Sequence, residues 1–337
     1  MKTVLVTGGS GFLASHAMVK LTKMGHKCIS YSRTPPPVGV KLFSDNIEFV
    51  IGDTRDWGNL LGTIKKYSVD TILQTASLLM QAAQVSPPIT FSIAAKGTLN
   101  LLEAARIFDI RRFVYMSGSS VYGGYRDETG KYRDIVTEDV PLTAWSGVYA
   151  STKLYCEHLL RNYSAEYGIE GTSIRPADFY GPGQSRRSLH FIKDLVEGAL
   201  YDKFVYMPHE YDRRMNTGYV KDIATGVALA CDVEPHKSNA YNLSCGIIPS
   251  PKLSEFVAAV KELIPEATYE LWPPTDKFES VGPMSIDKAI KELGYNPKYS
   301  KPKDGIKDYI ETLKNNPVLR KLDRYAGLAY EWCDRVK

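Results

Sequence analysis

The stretch Thr3-Val4-Leu5-Val6-Thr7-Gly8-Gly9-Ser10-Gly11-Phe12-Leu13-Ala14 decides the fold. Its first five residues form a short, apolar, β-branched run, and the glycines that follow give way to an amphipathic stretch from Phe12 to about Met24. Strand, glycine turn and helix in that order open a βαβ unit, and the spacing Gly9-x-Gly11-x-x-Ala14 matches a loop that holds a dinucleotide pyrophosphate. The glycines permit a tight turn and close backbone approach, Ala14 lets helix pack on strand, and the helix N-terminus presents free N–H groups to an anion. Gly8, Gly9, Ser10, Gly11, Phe12 and Leu13 are therefore the expected cofactor loop; the alternative is a glycine-rich turn without a ligand.

Working outward, the same alternation continues. Strands are expected at Thr3 to Thr7, Lys27 to Tyr31, Ile47 to Ile51, Thr71 to Thr75, Arg112 to Ser117 and Gly171 to Arg175. Helices are expected at Phe12 to Met24, Trp57 to Lys66, Pro88 to Phe108 and Ser146 to Tyr167. This pattern predicts an α/β fold, a Rossmann-type doubly wound parallel sheet. After residue 176 the chain turns to Gly, Pro and Arg-rich loops with short helices (Leu189 to Leu200, Ala224 to Ala230, Leu253 to Leu263). It then runs through Ile286 to Leu293 and two further helical stretches to Val336. The expected organisation is a dinucleotide-binding domain over 1–176 and, over 177–337, mainly a smaller substrate-binding lobe with segments returning to the sheet.

The 337 residues are 44% hydrophobic and 24% charged, an ordinary globular balance that excludes a disordered or collagen-like chain. A formal charge of +4 without long runs of one sign gives no basic stripe, so neither nucleic acid nor an anionic membrane is an expected partner. No run approaches the roughly 18 apolar residues of a membrane span. The five cysteines (Cys28, Cys156, Cys231, Cys245, Cys333) are scattered and odd in number, which fits a reducing, cytoplasmic setting better than a disulfide framework. The six histidines show no paired ligand spacing, so no metal is expected.

Two further stretches carry chemistry. About 20 residues after the glycine loop, where an acid would bind a free ribose 2′-hydroxyl, the chain reads Ile29-Ser30-Tyr31-Ser32-Arg33-Thr34. Without a carboxylate a 2′-phosphate is not repelled, and Arg33 beside Ser32 can meet it with a guanidinium fork, so NADP is favoured and NAD possible. The alternative leaves Arg33 solvated next to Pro35-Pro36-Pro37. Tyr149 and Lys153, spaced i, i+4 on a long helix, share one face. A nearby ammonium lowers a phenol's pKa by stabilising the phenolate, which makes the pair a candidate acid–base device.

The whole chain resembles the extended short-chain dehydrogenase/reductase family of the NAD-dependent epimerase/dehydratase type. The matching pieces run end to end: the glycine loop, Gly52-Asp53-Thr54-Arg55-Asp56, Gly97-Thr98-Leu99-Asn100-Leu101-Leu102-Glu103-Ala104-Ala105, Ser120-Val121-Tyr122-Gly123 and Tyr149-x-x-x-Lys153. They continue with Arg175-Pro176-Ala177-Asp178-Phe179-Tyr180-Gly181-Pro182, Tyr241-Asn242-Leu243 and Lys291-Glu292-Leu293-Gly294-Tyr295-Asn296-Pro297. The resemblance implies that Tyr149 is the general acid/base and Lys153 its partner and ribose ligand. It also implies that Asp53 and Thr54 lie beside the adenine, and that Thr75, Ala76 and Pro176 border the nicotinamide half.

Four departures from the family pattern bear on substrate. The Ser or Thr three residues before the Val of the VYG motif is Gly118; of its neighbours Ser117, Ser119 and Ser120, Ser119 is the expected replacement, the alternative being that Tyr149 acts alone or with water. The Asp-Glu pair of dehydratases is Ser119-Ser120, which disfavours elimination. The usual Asn after RP is Asp178, which favours a hydroxyl-rich substrate. Arg213 and Arg214 stand out of register with the RDFVYV pattern, reaching an anion or lying solvated.

These features predict an NADP-dependent oxidoreductase acting on a sugar-like or other small hydroxyl or carbonyl substrate. The alternatives are a nucleotide-sugar epimerase with tightly held NAD and a non-catalytic dinucleotide sensor. Leu101, Leu102, Ala105, Phe108, Leu154, Leu159 and Tyr163 suggest a homodimer through paired helices, unless they pack on the sheet. Phe91, Tyr122, Trp145, Tyr180 and Tyr206 are candidates for an aromatic pocket or for core.

Overall fold

A computed structural model describes residues 1–34, 46–123, 125–127, 129–131, 133–143, 147–184, 190–207, 214–271, 282–317 and 319. The first half runs β1 (Thr3–Thr7), α1 (Phe12–Lys23), β2 (Lys27–Ser32), β3 (Ile47–Ile51), α2 (Trp57–Tyr67) and β4 (Thr71–Gln74). There follow α3 (Met80–Val85), α4 (Pro87–Phe91), α5 (Gly97–Ile107), β5 (Arg112–Met116), α6 (Val148–Tyr167) and β6 (Glu170–Pro176). The second half adds β7 (Asp178–Tyr180), α7 (His190–Glu197), β8 (Phe204–Met207), β9 (Thr217–Tyr219), α8 (Val220–Asp232) and β10 (Ala240–Leu243). It ends with α9 (Leu253–Leu263), β11 (Thr268–Leu271), α10 (Asp287–Leu293) and α11 (Pro302–Asn315).

Seven strands form one parallel sheet in the order β10-β6-β5-β4-β1-β2-β3. The order reverses at β1, so the connections after β1 and β4 leave on opposite faces and open a crevice at the carboxyl ends of the strands. Both faces are covered. Val4, Val6, Met116 and Ile174 point into a layer made by α1, α8 and α10, while Leu5, Ile29, Ile72 and Phe113 face the helices α2, α5 and α6. That is why the strands read as continuous apolar runs rather than as alternating ones.

The expected strands of the first half all form, to within a residue or two. The expected helix from Pro88 to Phe108 is instead α4, a five-residue π turn over Ser92–Lys96, and α5. A separate cluster of Tyr180, Tyr219, Phe256, Tyr309 and neighbours holds α7, β8, α9 and α11 together. After residue 176, α8, β10 and α10 pack within the sheet's own layer. Leu189 and the last helical stretch to Val336 lie outside the described residues.

Beneath the crevice sits a fully buried ion pair. Arg175, at 0% exposure, donates through Nε and Nη2 to both carboxylate oxygens of Glu157, at 3.0 and 2.6 Å, and Glu157 is 1% exposed. Its Nη1 donates to Tyr122 Oη (2.9 Å) and Glu138 O (3.2 Å), and Tyr122 in turn donates to Asn242 Oδ1 at 2.7 Å. Removing one partner strands a charge in the core. Glu157→Ala is expected to lower unfolding free energy in urea by roughly 3–5 kcal/mol, and the double replacement Glu157→Leu/Arg175→Met by less than the single one. A single variant as stable as the parent would contradict this account.

Candidate active site

The glycine loop lies where β1 passes into α1. Gly8 has φ +65°, and a Cβ there would stand 3.0 Å from the Ala76 backbone, so only glycine fits. Its N–H donates to Tyr31 O and that of Gly11 to Gly8 O, both at 2.8 Å, which closes the turn. Gly11 caps α1 with no side-chain hydrogen bond, and the first turn of the helix holds no acid. The first-turn N–H groups are thus left for an anion at the positive end of the helix, which is how the loop fits a dinucleotide pyrophosphate.

Along the same sheet edge, Ser10 Oγ lies 2.7 Å from Ser32 Oγ and 2.9 Å from Thr34 Oγ1, a hydroxyl cluster flanking Arg33. Asp53 is gripped by Arg55 at 2.6 and 2.9 Å, and this pairing, with a lesser contribution from Arg33, holds its carboxyl below the usual range. Both Asp53 oxygens are therefore engaged by Arg55, a residue quoted in the sequence motif but given no role there. Thr54 is buried and its carbonyl accepts from Asn100 Nδ2 at 2.9 Å. Thr75 donates to Thr7 O at 2.6 Å, which fixes the loop after β4 against the glycine turn. Pro176 closes β6 and is buried beside Leu243.

Across the crevice, Tyr149 and Lys153 project from the first turns of α6. The Lys153 ammonium is 3% exposed, donates to Met116 O at 2.5 Å and lies 5.4 Å from the centre of the Tyr149 ring. Burial brings its pKa down from 10.5 to about 8. Tyr149 moves the other way: burial and then the Asp178 carboxylate push its hydroxyl above the ordinary 10. Lys153 is not among the groups that shift this phenol; its ammonium gives one N–H to Met116 O and keeps two others.

Ser117 and Ser120 carry buried hydroxyls without partners, whereas Ser119 lies toward Tyr125, whose hydroxyl donates to Met284 Sδ at 3.6 Å and has its pKa pushed up by burial. Asp178 is exposed and its charge reaches both Tyr125 and Tyr149. Arg214 Nη1 donates to Ser250 O at 2.8 Å. Arg213 lies outside the described residues. Of the aromatic candidates, Tyr122 and Tyr180 are core residues and Phe91 is 54% exposed, with its ring 6.0 Å from that of Tyr155. Trp145 and the Tyr206 side chain lie outside the described residues. Tyr125 and Asn216 had no sequence signal, because distant segments bring them together. Among the described residues, no cluster of three or more His, Cys, Asp or Glu side chains could hold a metal ion, and no helix is long and apolar enough to cross a membrane.

Comparison with known proteins gives these residues their context. The model of the "NAD dependent epimerase/dehydratase family" matches residues 4–244. The chain belongs to this family. It is accordingly an enzyme of the extended short-chain dehydrogenase/reductase type, built to bind a nicotinamide dinucleotide. It is 28% identical over 237 residues to a 3-beta-hydroxysteroid dehydrogenase of Mycolicibacterium neoaurum, covering 68% of this chain but only 60% of that protein's length. It is 28% identical over 350 residues to the bifunctional UDP-glucose 4-epimerase and UDP-xylose 4-epimerase 1 of Pisum sativum, covering 93% and 96% of the two chains. A crystal structure of a UDP-glucose 4-epimerase superposes with a TM-score of 0.79 at 23% identity, over 94% of this chain and 98% of the other, a likeness of fold.

His16, on α1 behind the glycine loop, bonds Pro182 O through Nε2 at 3.0 Å, and burial takes its pKa down from 6.5 to about 4. The unfolded chain therefore binds a proton that the folded one refuses between these values. Stability contributed here is complete above pH 6.5 and is lost as pH falls toward 4. Urea titrations should show that His16→Gln flattens this slope by about one proton, or about 1.4 kcal/mol per pH unit; an unchanged slope would show that His16 titrates normally.

Proposed function

We propose that this family member is an NADP-preferring oxidoreductase that reduces a carbonyl, or oxidises the matching hydroxyl, of a small sugar-like substrate. The observation that carries the reading is the placement of Tyr149 and Lys153 across the crevice from a glycine loop whose helix N-terminus has no internal cap. Gly8 to Leu13 would hold the pyrophosphate, and Ser32 with Arg33 the ribose 2′-phosphate. Thr54 lies by the adenine, and Thr75, Ala76 and Pro176 border the nicotinamide. When bound, the dinucleotide supplies or accepts hydride. Tyr149 gives its proton to the substrate oxygen during reduction and takes it back during oxidation. Lys153, beside the ring, stabilises the phenolate left behind and is placed for the ribose hydroxyls. A phenol held protonated by burial and by Asp178 favours the reducing direction.

Residues 177–337 are read as supplying most of the substrate site, with Asp178 selecting hydroxyl-rich compounds over anionic ones. A second reading, a nucleotide-sugar epimerase retaining NAD, is favoured by the near-complete coverage of the pea relative. The absence of an acid at the end of β2, where Ser32 and Arg33 stand, counts against it. Four buried free cysteines support a cytoplasmic setting. A homodimer is also proposed, on different residues from those first considered. Leu101, Leu102, Ala105 and Tyr163 pack on the sheet, whereas Phe91 (54% exposed), Tyr155 (46%) and Leu99 (38%) leave an apolar patch on α4, α5 and α6. Sedimentation should find Phe91→Asp/Tyr155→Asp monomeric if this patch is the interface.

The central test is titration with NADPH and NADH, followed by nicotinamide absorbance on dihydroxyacetone and D-glyceraldehyde. NADPH is expected to bind at least about tenfold more tightly, Arg33→Ala to erase that ratio, and Tyr149→Phe to cut turnover by about 100-fold or more. Co-purified NAD that survives dialysis would overturn the reductase in favour of the epimerase.

A further inference from the structure

Tyr149 alone makes an incomplete site, because a carbonyl oxygen becoming an alkoxide is better held by two donors than by one. The family's second hydroxyl would stand at position 118, and glycine has none to give. The space is nevertheless intact. Gly118 is extended (φ −174°, ψ 157°), so its backbone accepts any residue. A Cβ built there would lie 3.5 Å from Tyr149 Oη and 3.6 Å from Ser120 Oγ. Both hydroxyls therefore flank the one small volume that the missing side chain would occupy. Ser120 Oγ is buried and has no hydrogen-bond partner, a state that is destabilising unless something supplies one.

The other two serines are accounted for differently. Ser119 lies toward the hydroxyl of Tyr125, whose own hydrogen bond goes to Met284 Sδ at 3.6 Å. Ser117 also has a buried, unpartnered Oγ, but it precedes Gly118 on extended backbone, where successive side chains leave on opposite sides. Gly118 presents its side to Tyr149, so Ser117 points away.

We propose that Ser120, not Ser119, is the second hydroxyl of the catalytic pair, donating a hydrogen bond to the substrate oxygen that Tyr149 protonates. This rests on the reading of Tyr149 as acid/base. In reduction, hydride from the nicotinamide adds to the carbonyl carbon, the C=O π pair moves to oxygen, and the Tyr149 O–H breaks to supply the proton. Ser120 keeps its own proton throughout. Reaching from two residues along the chain, it restores in this sequence what Gly118 removed.

The test uses the full-length protein and two measurements. The first is NADPH oxidation on dihydroxyacetone and D-glyceraldehyde. The second is tyrosine ¹³Cζ NMR, with Tyr149 assigned as the resonance missing from Tyr149→Phe and titrated through alkaline pH. Ser120→Ala should lower kcat about tenfold or more with KM changed less than about threefold, and should shift the Tyr149 titration upward, because a donor to the phenolate is lost. Ser119→Ala and Ser117→Ala should do neither. Adding Gly118→Ser to Ser120→Ala should restore kcat to within about threefold of the parent, a rescue that a purely structural role for Ser120 would not give. The proposal is overturned if Ser120→Ala leaves both measurements unmoved, if Ser119→Ala produces the loss instead, or if Gly118→Ser fails to rescue. Failure of the underlying reading looks different: Tyr149→Phe would then retain turnover, while the NMR titration would still report whether Ser120 meets Tyr149. Should neither probe be turned over by the parent, the titration alone decides.

Discussion

The buried pair of Arg175 and Glu157 is the constraint on which the site depends. Four separate elements meet on it: β6 carries Arg175, α6 carries Glu157, the short 3-10 turn over Ser119–Tyr122 supplies Tyr122, and β10 brings Asn242. Glu157 stands one helical turn beyond Lys153, so the salt bridge fixes the rotation of α6 and with it the direction of the acid–base residues. Tyr122 does the same for the serine segment. Desolvating two charges is expensive, and the pair is tolerable only because nearly every donor and acceptor around it is matched. What it gives in return is a defined register between the helix that moves protons and the strand ends that face the substrate.

The electrostatics of the crevice follow from burial more than from pairing. Lys153 and Tyr149 are both driven toward their neutral forms, the amine downward and the phenol upward. Asp178 adds to the second effect from the substrate side. The adenosine end is different in kind. There Arg33, Arg55 and Asp53 leave one net positive charge beside a cluster of three hydroxyls, a setting suited to a phosphate monoester.

Much of this was legible in the sequence, and the reasons differ from residue to residue. The first six strands and the glycine loop could be read because burial on both faces writes apolar runs directly into the chain, and because Gly8 and Gly9 have no alternative. Tyr149 and Lys153 could be read because their contact is local, four residues apart on a helix. The break between α4 and α5 could not, since the helical period of the side chains continues through the π turn. Nor could the choice among Ser117, Ser119 and Ser120: it turns on Tyr125 and on the side that Gly118 presents, both set by folding. The Arg214 contact with the carbonyl at position 250 was likewise invisible in the sequence.

The seventh strand has a consequence for how the molecule is made. β10 pairs with β6, yet it is synthesised after α7, β8, β9 and α8 have all emerged. Until α8 emerges the sheet face formed by Val4, Val6, Met116 and Ile174 has α1 alone, and α10 comes later still. A growing chain therefore carries a nearly complete sheet with one side only partly covered during much of translation, sticky in the way that nascent chains bound by chaperones are sticky. Premature termination near residue 176 would leave a polypeptide holding the entire dinucleotide loop but only α1 on that side, and its fate would be aggregation or proteolysis rather than partial activity.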